Sequence, residues 1–180
     1  MPLLNSVTTP YAEAFLQVAN DLNQTEEIVI QAKEILNLMS ESPELEKALS
    51  SPILEKESKK DIIIQLFSEK INQSLLNLLK LLADRQRIGI LVPILHRFLE
   101  LYRENSNIAL ATVTSAVELS DEQKDLITKK ISAIAGTEKL ELVTKTDSTL
   151  IGGFVASVGS KVIDASLASQ IRKLGLSLSK

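Results

Sequence analysis

The sequence predicts a mainly α protein, with an N-terminal six-helix bundle over residues 1–104 and a small α+β domain over residues 105–180. Three observations predict it. Up to Glu104, apolar residues recur every three or four positions, the spacing of one helical face. Hydrophobic residues make up 44% of the chain but aromatics only 3%, so its cores must be built from Leu, Ile, Val and Ala, which suits packed helices. After Asn105-Ser106-Asn107 the pattern changes to alternating Ala, Thr, Val and Ser, the period of a strand.

Each element has its own signal. Thr9-Pro10 predicts the start of the first helix, with Thr as cap and Pro at the first helical position. Its apolar stripe is Tyr11, Ala14, Phe15, Val18 and Leu22. A second helix starts at Thr25, with Glu26 and Glu27 favourably placed at its positive end, and carries Ile28, Ala32, Ile35, Leu36 and Met39. Ser42-Pro43 repeats the cap-and-proline signal for a short helix burying Leu45, Ala48 and Leu49, and Ser51-Pro52 ends it. The charged run Glu55 to Lys60 leads into Ile62, Ile63, Leu66 and Phe67. Leu75, Leu76, Leu79 and Leu82 mark a fifth helix, with Leu78 and Leu81 widening its stripe. After the polar break Asp84 to Arg87, a sixth runs from Ile88 to Glu104, with Pro93 near its start, where a missing N–H costs least.

In the second half, Ile108 to Val117 reads as a strand. Ser120 and Gln123 form a capping box for a helix carrying Leu126, Ile127, Ile131 and Ile134, and Gly136 is its stop. Leu140, Leu142 and Thr144 mark a second strand. Asp147 to Leu150 reads as a turn, and Phe154 to Val158 with Lys161 to Asp164 as a hairpin around Gly159-Ser160. A last helix starts at Leu167, carrying Ile171, Leu174 and Leu178.

Composition excludes several functions. A net charge of −3 argues against binding nucleic acid through many basic contacts. The chain has 11 basic and 15 acidic residues up to position 104 and 9 against 8 beyond it, a difference of solvated faces. Without cysteine there is no disulfide, thiolate zinc site or thiol nucleophile. Residues 1–9 lack the basic and apolar regions of a signal peptide. The longest apolar run, Ile88 to Leu95, is far short of the ~20 residues that span a bilayer.

Candidate chemical groups fail for want of partners. His96, the single histidine, has no second ligand and reads as a helix-face residue. Gly152-Gly153 lacks the Gly-x-x-x-x-Gly-Lys-Ser/Thr and Gly-x-Gly-x-x-Gly patterns of phosphate cradles and reads as a turn or bulge that glycine alone tolerates. Asp147 and Asp164 could form an acid/base pair, yet both sit at turns, where Asp caps backbone N–H groups. Ser157, Ser160 and Ser166 lack a nucleophile elbow and a base. Lys59-Lys60 reads as a solvated face beside Glu55 and Glu57. No catalytic residue, cofactor site or metal site is expected. The first helix differs in kind: Tyr11, Ala14, Phe15 and Val18 read first as core, but with the excess of leucine on the fifth helix they could also border a groove for a partner helix.

Several short motifs, in order, resemble one family over essentially the whole chain. Pro10-Tyr11-Ala12-Glu13-Ala14-Phe15 is similar to its opening Tyr-Ala-x-Ala-Leu, with Phe15 for Leu. Leu49-Ser50-Ser51-Pro52-Ile53 followed by Lys59-Lys60, and Arg87 ahead of Ile94 and Phe98, also match. Val113 to Ala116 with Leu119, Ser120 and Gln123 resembles its strand and cap. Asp147, Leu150, Ile151, Gly152 and Gly153 resemble its Asp-x-x-Leu-Ile-Gly-Gly; Val158-Gly159 and Val162 to Ser166, including Asp164, resemble the hairpin that follows, with Ala165 where Gly is frequent. The family is the delta subunit of F-type ATP synthases, similar to the mitochondrial oligomycin sensitivity-conferring protein.

The resemblance implies a non-catalytic stator that links the catalytic hexamer to the peripheral stalk. It implies that the N-terminal bundle binds the N-terminal helix of an alpha subunit and that residues 105–180 bind the stalk b (and b′) subunits. Tyr11, Ala14, Phe15, Val18, Leu75 and Leu79 are the expected border of the alpha-subunit groove. Association with a membrane would be indirect, at the cytoplasmic face of a plasma membrane or a thylakoid. The rival readings are a free-standing helical adaptor with an unrelated partner and a small-molecule enzyme, which the lack of convergent polar residues disfavours.

Overall fold

The computed structural model describes residues 2–136 and 139–178. The chain divides into two compact units, Met1–Tyr102 and Arg103–Lys180. The first holds α1 (Pro2–Asp21), α2 (Thr25–Glu41), α3 (Pro43–Ser50), α4 (Lys56–Phe67), α5 (Gln73–Asp84), a single 3₁₀ turn (Ile88–Ile90) and most of α6 (Leu91–Ser106). Its core is aliphatic apart from Met39 and three phenylalanines, Phe15, Phe67 and Phe98. Ile28, Ile35, Ile63, Leu75, Leu79, Leu82, Ile94 and Leu95 are fully buried around Phe98, whose ring lies 5.1 Å from that of Phe15.

The helix ends follow backbone accounting: terminal carbonyls need donors, and a left-handed residue supplies the turn that reaches them. Asn23, Gln86 and Asn107 take φ values of 54°, 54° and 52°. Behind them Gln24 N donates to Ala19 O (2.9 Å), Arg87 N to Leu82 O (2.7 Å) and Ile108 N to Arg103 O (2.9 Å), closing α1, α5 and α6. At the start of α5 the Asn72 side chain accepts from Ser74 N at 2.8 Å, and Gln31 of α2 accepts from Asn72 N at 2.7 Å.

The first unit corrects several expectations. α1 does not start at Pro10 but runs from Pro2, with Pro10 inside it. Proline removes one backbone bond there, and the helix continues on both sides with Thr8 and Ala12 buried. Its buried face is Thr8, Ala12, Phe15, Leu16 and Ala19; of the expected stripe only Phe15 is fully inside. Small Ala12 and Ala19 let neighbouring helices approach closely, so this face looks less apolar in sequence than it is in space. Ser42 precedes α3 without a side-chain cap bond. Lys59 is buried rather than solvated, because it shares a face with Ile63 and Phe67 at spacings of four, so its aliphatic stem packs with them. Lys60 pairs with Asp84.

The second unit holds β1 (Ala109–Ser115), α7 (Asp121–Ala135), β2 (Leu140–Thr146), β3 (Phe154–Val158), β4 (Lys161–Asp164) and α8 (Leu167–Leu178). The sheet order is β2-β1-β3-β4. β1 and β2 are parallel, as a helical crossover requires, and β3 and β4 form an antiparallel hairpin. The period of two is visible in the register: Ala111 faces Leu142 and Val158, and Val113 faces Ala156. These positions share the face that packs with Ile127 and Ile131 of α7. Leu126, Ile134 and Ile171, expected inside, are exposed. The stripe of α7 that meets the sheet is Ile127 and Ile131, one step round the helix from Leu126. The side chains of Leu174 and Leu178 lie outside the described residues.

The capping box is formed: Gln123 N donates to Ser120 Oγ (3.3 Å) and Ser120 N to Gln123 Oε1 (3.0 Å). Ser120→Ala should therefore lower stability by about 1 kcal/mol, read as faster amide exchange across α7 with exchange in α1–α5 unchanged.

Candidate functional site

Two surfaces on the described residues combine exposed apolar side chains with a concave shape. The first is a groove of about 400 Å³ between α1 and α5, lined by Tyr11, Ala14, Phe15, Val18 and Leu22 on one wall and Ser74, Asn77, Leu78 and Leu81 on the other. Val18, Leu22 and Leu81 are 45%, 52% and 43% exposed and lie together in the groove, so they form a patch rather than scattered exposed residues. Phe15 is the floor, buried beneath. At one end Arg87 Nη1 donates to Tyr11 Oη at 3.1 Å, its guanidinium carbon 6.0 Å from the ring centroid, which fixes the tyrosine at the mouth. At the other, Ser74 Oγ lies 3.4 Å from Gln24 Oε1.

The structure brings Tyr11, Ala14, Phe15 and Val18 together here. Leu75 and Leu79 do not join them: both are fully buried in the bundle core, and Leu78 and Leu81 form the α5 wall instead. α5 is apolar on two faces, and core and groove faces differ by a rotation of one residue. The signal that could have assigned them was the pair Ser74 and Asn77, whose polar side chains cannot face the core and share a face with Leu78 and Leu81.

The second surface, about 410 Å³, lies beside the Leu150-Ile151-Gly152-Gly153 turn. Val117, Leu126 and Ile151, all largely exposed, line it with Leu119 and Phe154, and Lys130 is its one charged lining residue. The turn has a structural logic. Asp147 Oδ1 accepts from Thr149 Oγ1 (2.7 Å) and Thr149 N (2.9 Å). The Thr149 hydroxyl and then its N–H hold the Asp147 carboxyl below the usual range. Leu150 N donates to Asp147 O (3.2 Å), completing the turn.

Beyond it, two stretches of backbone are zipped together: Leu167 N donates to Gly152 O and Ala165 N to Phe154 O, both at 3.0 Å. Asp164 Oδ1 accepts from Ser166 N at 2.9 Å, and Ser166 Oγ from Ser169 N at 3.2 Å. Gly153 has φ +77°, and a side chain on it would overlap the Ala165 carbonyl. Asp147 and Asp164 are thus turn-capping carboxylates. Gly159, at φ +56°, turns the β3–β4 hairpin with open space around it.

His96 is an exposed helix residue beside Thr9, Pro93, Arg97 and Glu100. Among the described residues no three His, Asp or Glu side chains converge as a metal site, and no helix is long and apolar enough to cross a membrane.

The family model for the ATP synthase delta (OSCP) subunit matches residues 7–178. The chain belongs to that family. It is 79% identical over 180 residues to the ATP synthase subunit delta of Prochlorococcus marinus strain AS9601, covering 100% of both chains. It is 59% identical over 180 residues to that of strain NATL2A, covering 100% of this chain and 99% of the other. In fold it is similar to a chain of the Toxoplasma gondii mitochondrial ATP synthase hexamer, with a TM-score of 0.72, 21% identity, and 97% and 98% of the two chains covered. A delta-family chain is a stator component of ATP synthase, a structural part of the complex. Membership sets aside the free-standing adaptor.

The geometry of the family's glycine turn makes a graded prediction. Gly153→Ala adds both a left-handed penalty of about 1–2 kcal/mol and a clash, whereas Gly159→Ala adds the penalty alone. Urea unfolding should show Gly153→Ala losing at least ~1 kcal/mol more than Gly159→Ala; equal losses would show that the Ala165 carbonyl can step aside.

Proposed function

We propose that the chain joins the catalytic hexamer to the peripheral stalk through separate surfaces on its two units, holding the hexamer against the rotor's torque. The observation that carries the reading is the α1–α5 groove: a largely apolar trough walled by two helices, in a family of stator subunits. An amphipathic helix at the N-terminus of an alpha subunit is the occupant, its apolar face laid on Val18, Leu22, Leu78 and Leu81. A stator contact must dissociate slowly under load, so its affinity must be high; a nanomolar complex needs about 12 kcal/mol. Helix-in-groove burial of aliphatic surface supplies energy of that order without polar chemistry.

The b subunits of the stalk take the second unit. What supports this is the apolar surface of Val117, Leu126 and Ile151, which has no role in the unit's own core. The chain itself contributes no catalytic group; it transmits force. Relatives from Prochlorococcus marinus support a place on the cytoplasmic face of a thylakoid or plasma membrane, held there through the complex.

Ala14 tests the groove, because it is exposed in the free chain and has room for a larger side chain only while the groove is empty. Ala14→Asp should leave the melting of the isolated chain within ~0.5 kcal/mol of wild type and weaken binding of an alpha-subunit N-terminal peptide at least tenfold, about 1.4 kcal/mol. A normally folded variant with wild-type affinity would overturn the groove assignment.

A further inference from the structure

Resting on the reading that the peripheral stalk covers the apolar surface beside the glycine turn, we infer that Lys130 is a selectivity contact within that surface, and that the stalk segment seated there carries a carboxylate opposite it. Lys130 is the one charged residue lining the hollow. Across from α7 the lining is Val117, Leu119, Ile151 and Phe154, none of them charged.

The lysines of α7 differ in what the helix gives them. Ile127 and Ile131 pack with the sheet. Leu126, Lys130 and Ile134 recur at spacings of four, so they share a second, outward stripe, and all three are exposed. Lys124 pairs with Asp121, three residues before it, at 3.0 Å. Lys129 has Asp125 four residues before it. Lys130 has Leu126, Ile127, Ala133 and Ile134 at all its helical neighbour positions, so α7 offers it no carboxylate. The acids nearest the hollow in sequence do not supply one either: Glu118 is not part of its lining, and Asp147 is engaged by Thr149. Among the described residues Lys130 makes no ion pair.

In the free chain water solvates the ammonium, and the missing partner costs nothing. Covering the surface changes that. A segment laid on Leu126 and Ile151 also covers Lys130, one helical turn from Leu126, and a charge taken out of water without a counter-charge is strongly unfavourable. A carboxylate on the incoming segment offsets the loss; a wholly apolar segment does not. Lys130 therefore rejects apolar surfaces that would otherwise fit the hollow, which is selectivity by a penalty on the wrong partner. The opposing case is a lysine whose stem stays on the apolar surface while its ammonium reaches water at the edge. That case needs no carboxylate and gives the opposite mutational result.

The test uses the full chain and the soluble stalk portion of the b subunits. Lys130→Met keeps the aliphatic stem and removes the charge. It should melt like wild type and bind the stalk roughly thirtyfold or more weakly, because the stalk carboxylate is then buried without its partner. Wild-type or tighter binding by this variant would overturn the carboxylate contact while leaving the surface reading standing. Leu126→Asp separates the two: a normally folded variant with wild-type affinity would overturn the surface reading and the Lys130 contact with it. The carboxylate itself is found by neutralising each Asp and Glu of the stalk segment in turn, and by amidating its chain end. The one change that weakens binding to wild type should cause no further loss with Lys130→Met. Additive losses for every such change would overturn the pairing.

Discussion

Phe15 packs its ring against Phe98 in the middle of the first unit and at the same time floors the groove on the outside. α1 therefore has to be apolar on two adjacent faces. The inner face is built from small residues, Ala12 and Ala19, with Thr8, Leu16 and Phe15, and packs inside the bundle. The outer face of Tyr11, Ala14, Val18 and Leu22 is left without a cover by the chain itself. α5 shows the same division, with Leu75, Leu79 and Leu82 inside and Leu78 and Leu81 turned toward α1. Leaving several large aliphatic side chains in water costs a free chain solubility. In the proposed assembly a partner helix laid in the groove would remove that cost.

The second unit is organised by a different constraint. Its sheet is small, and the segment after β2 must turn, start β3 and leave room for the segment that enters α8. The backbone contact of Gly152 and Phe154 with Leu167 and Ala165 solves this, and Gly153 is what lets the two stretches come close enough to bond. The family's glycine turn is thus a folding device. The surface beside it, where Ile151, Leu126 and Val117 are exposed, is the part available to a partner.

Much of this was legible in sequence. The capping box at Ser120, the helix starts at Thr25 and Pro43, the hairpin at Gly159 and the strand alternation from Ala109 depend on local chemistry that neighbours cannot easily override. The turn roles of Asp147 and Asp164 were legible for the same reason. What sequence could not resolve was which of two apolar faces a helix turns inward. Alanine and threonine carry little hydrophobic weight, so the inner face of α1 was hidden behind its larger outer residues. On α5 the two leucine faces differ by a rotation of one position, and Leu75 and Leu79 were placed in the groove although they belong to the core. Pro10 misled for a related reason: a proline marks a helix start by its local cost, yet packing on both sides of it carries α1 back to Pro2.

The central claim is that the outer face of α1 is covered by the alpha subunit in the assembled enzyme. Because the chain has no cysteine, Val18→Cys places a single thiol on that face. A short photoactivatable cross-linker attached there, in ATP synthase assembled with the variant, should capture the N-terminal segment of an alpha subunit. Capture of a b subunit instead, or of nothing in an assembled and coupled enzyme, would contradict the account.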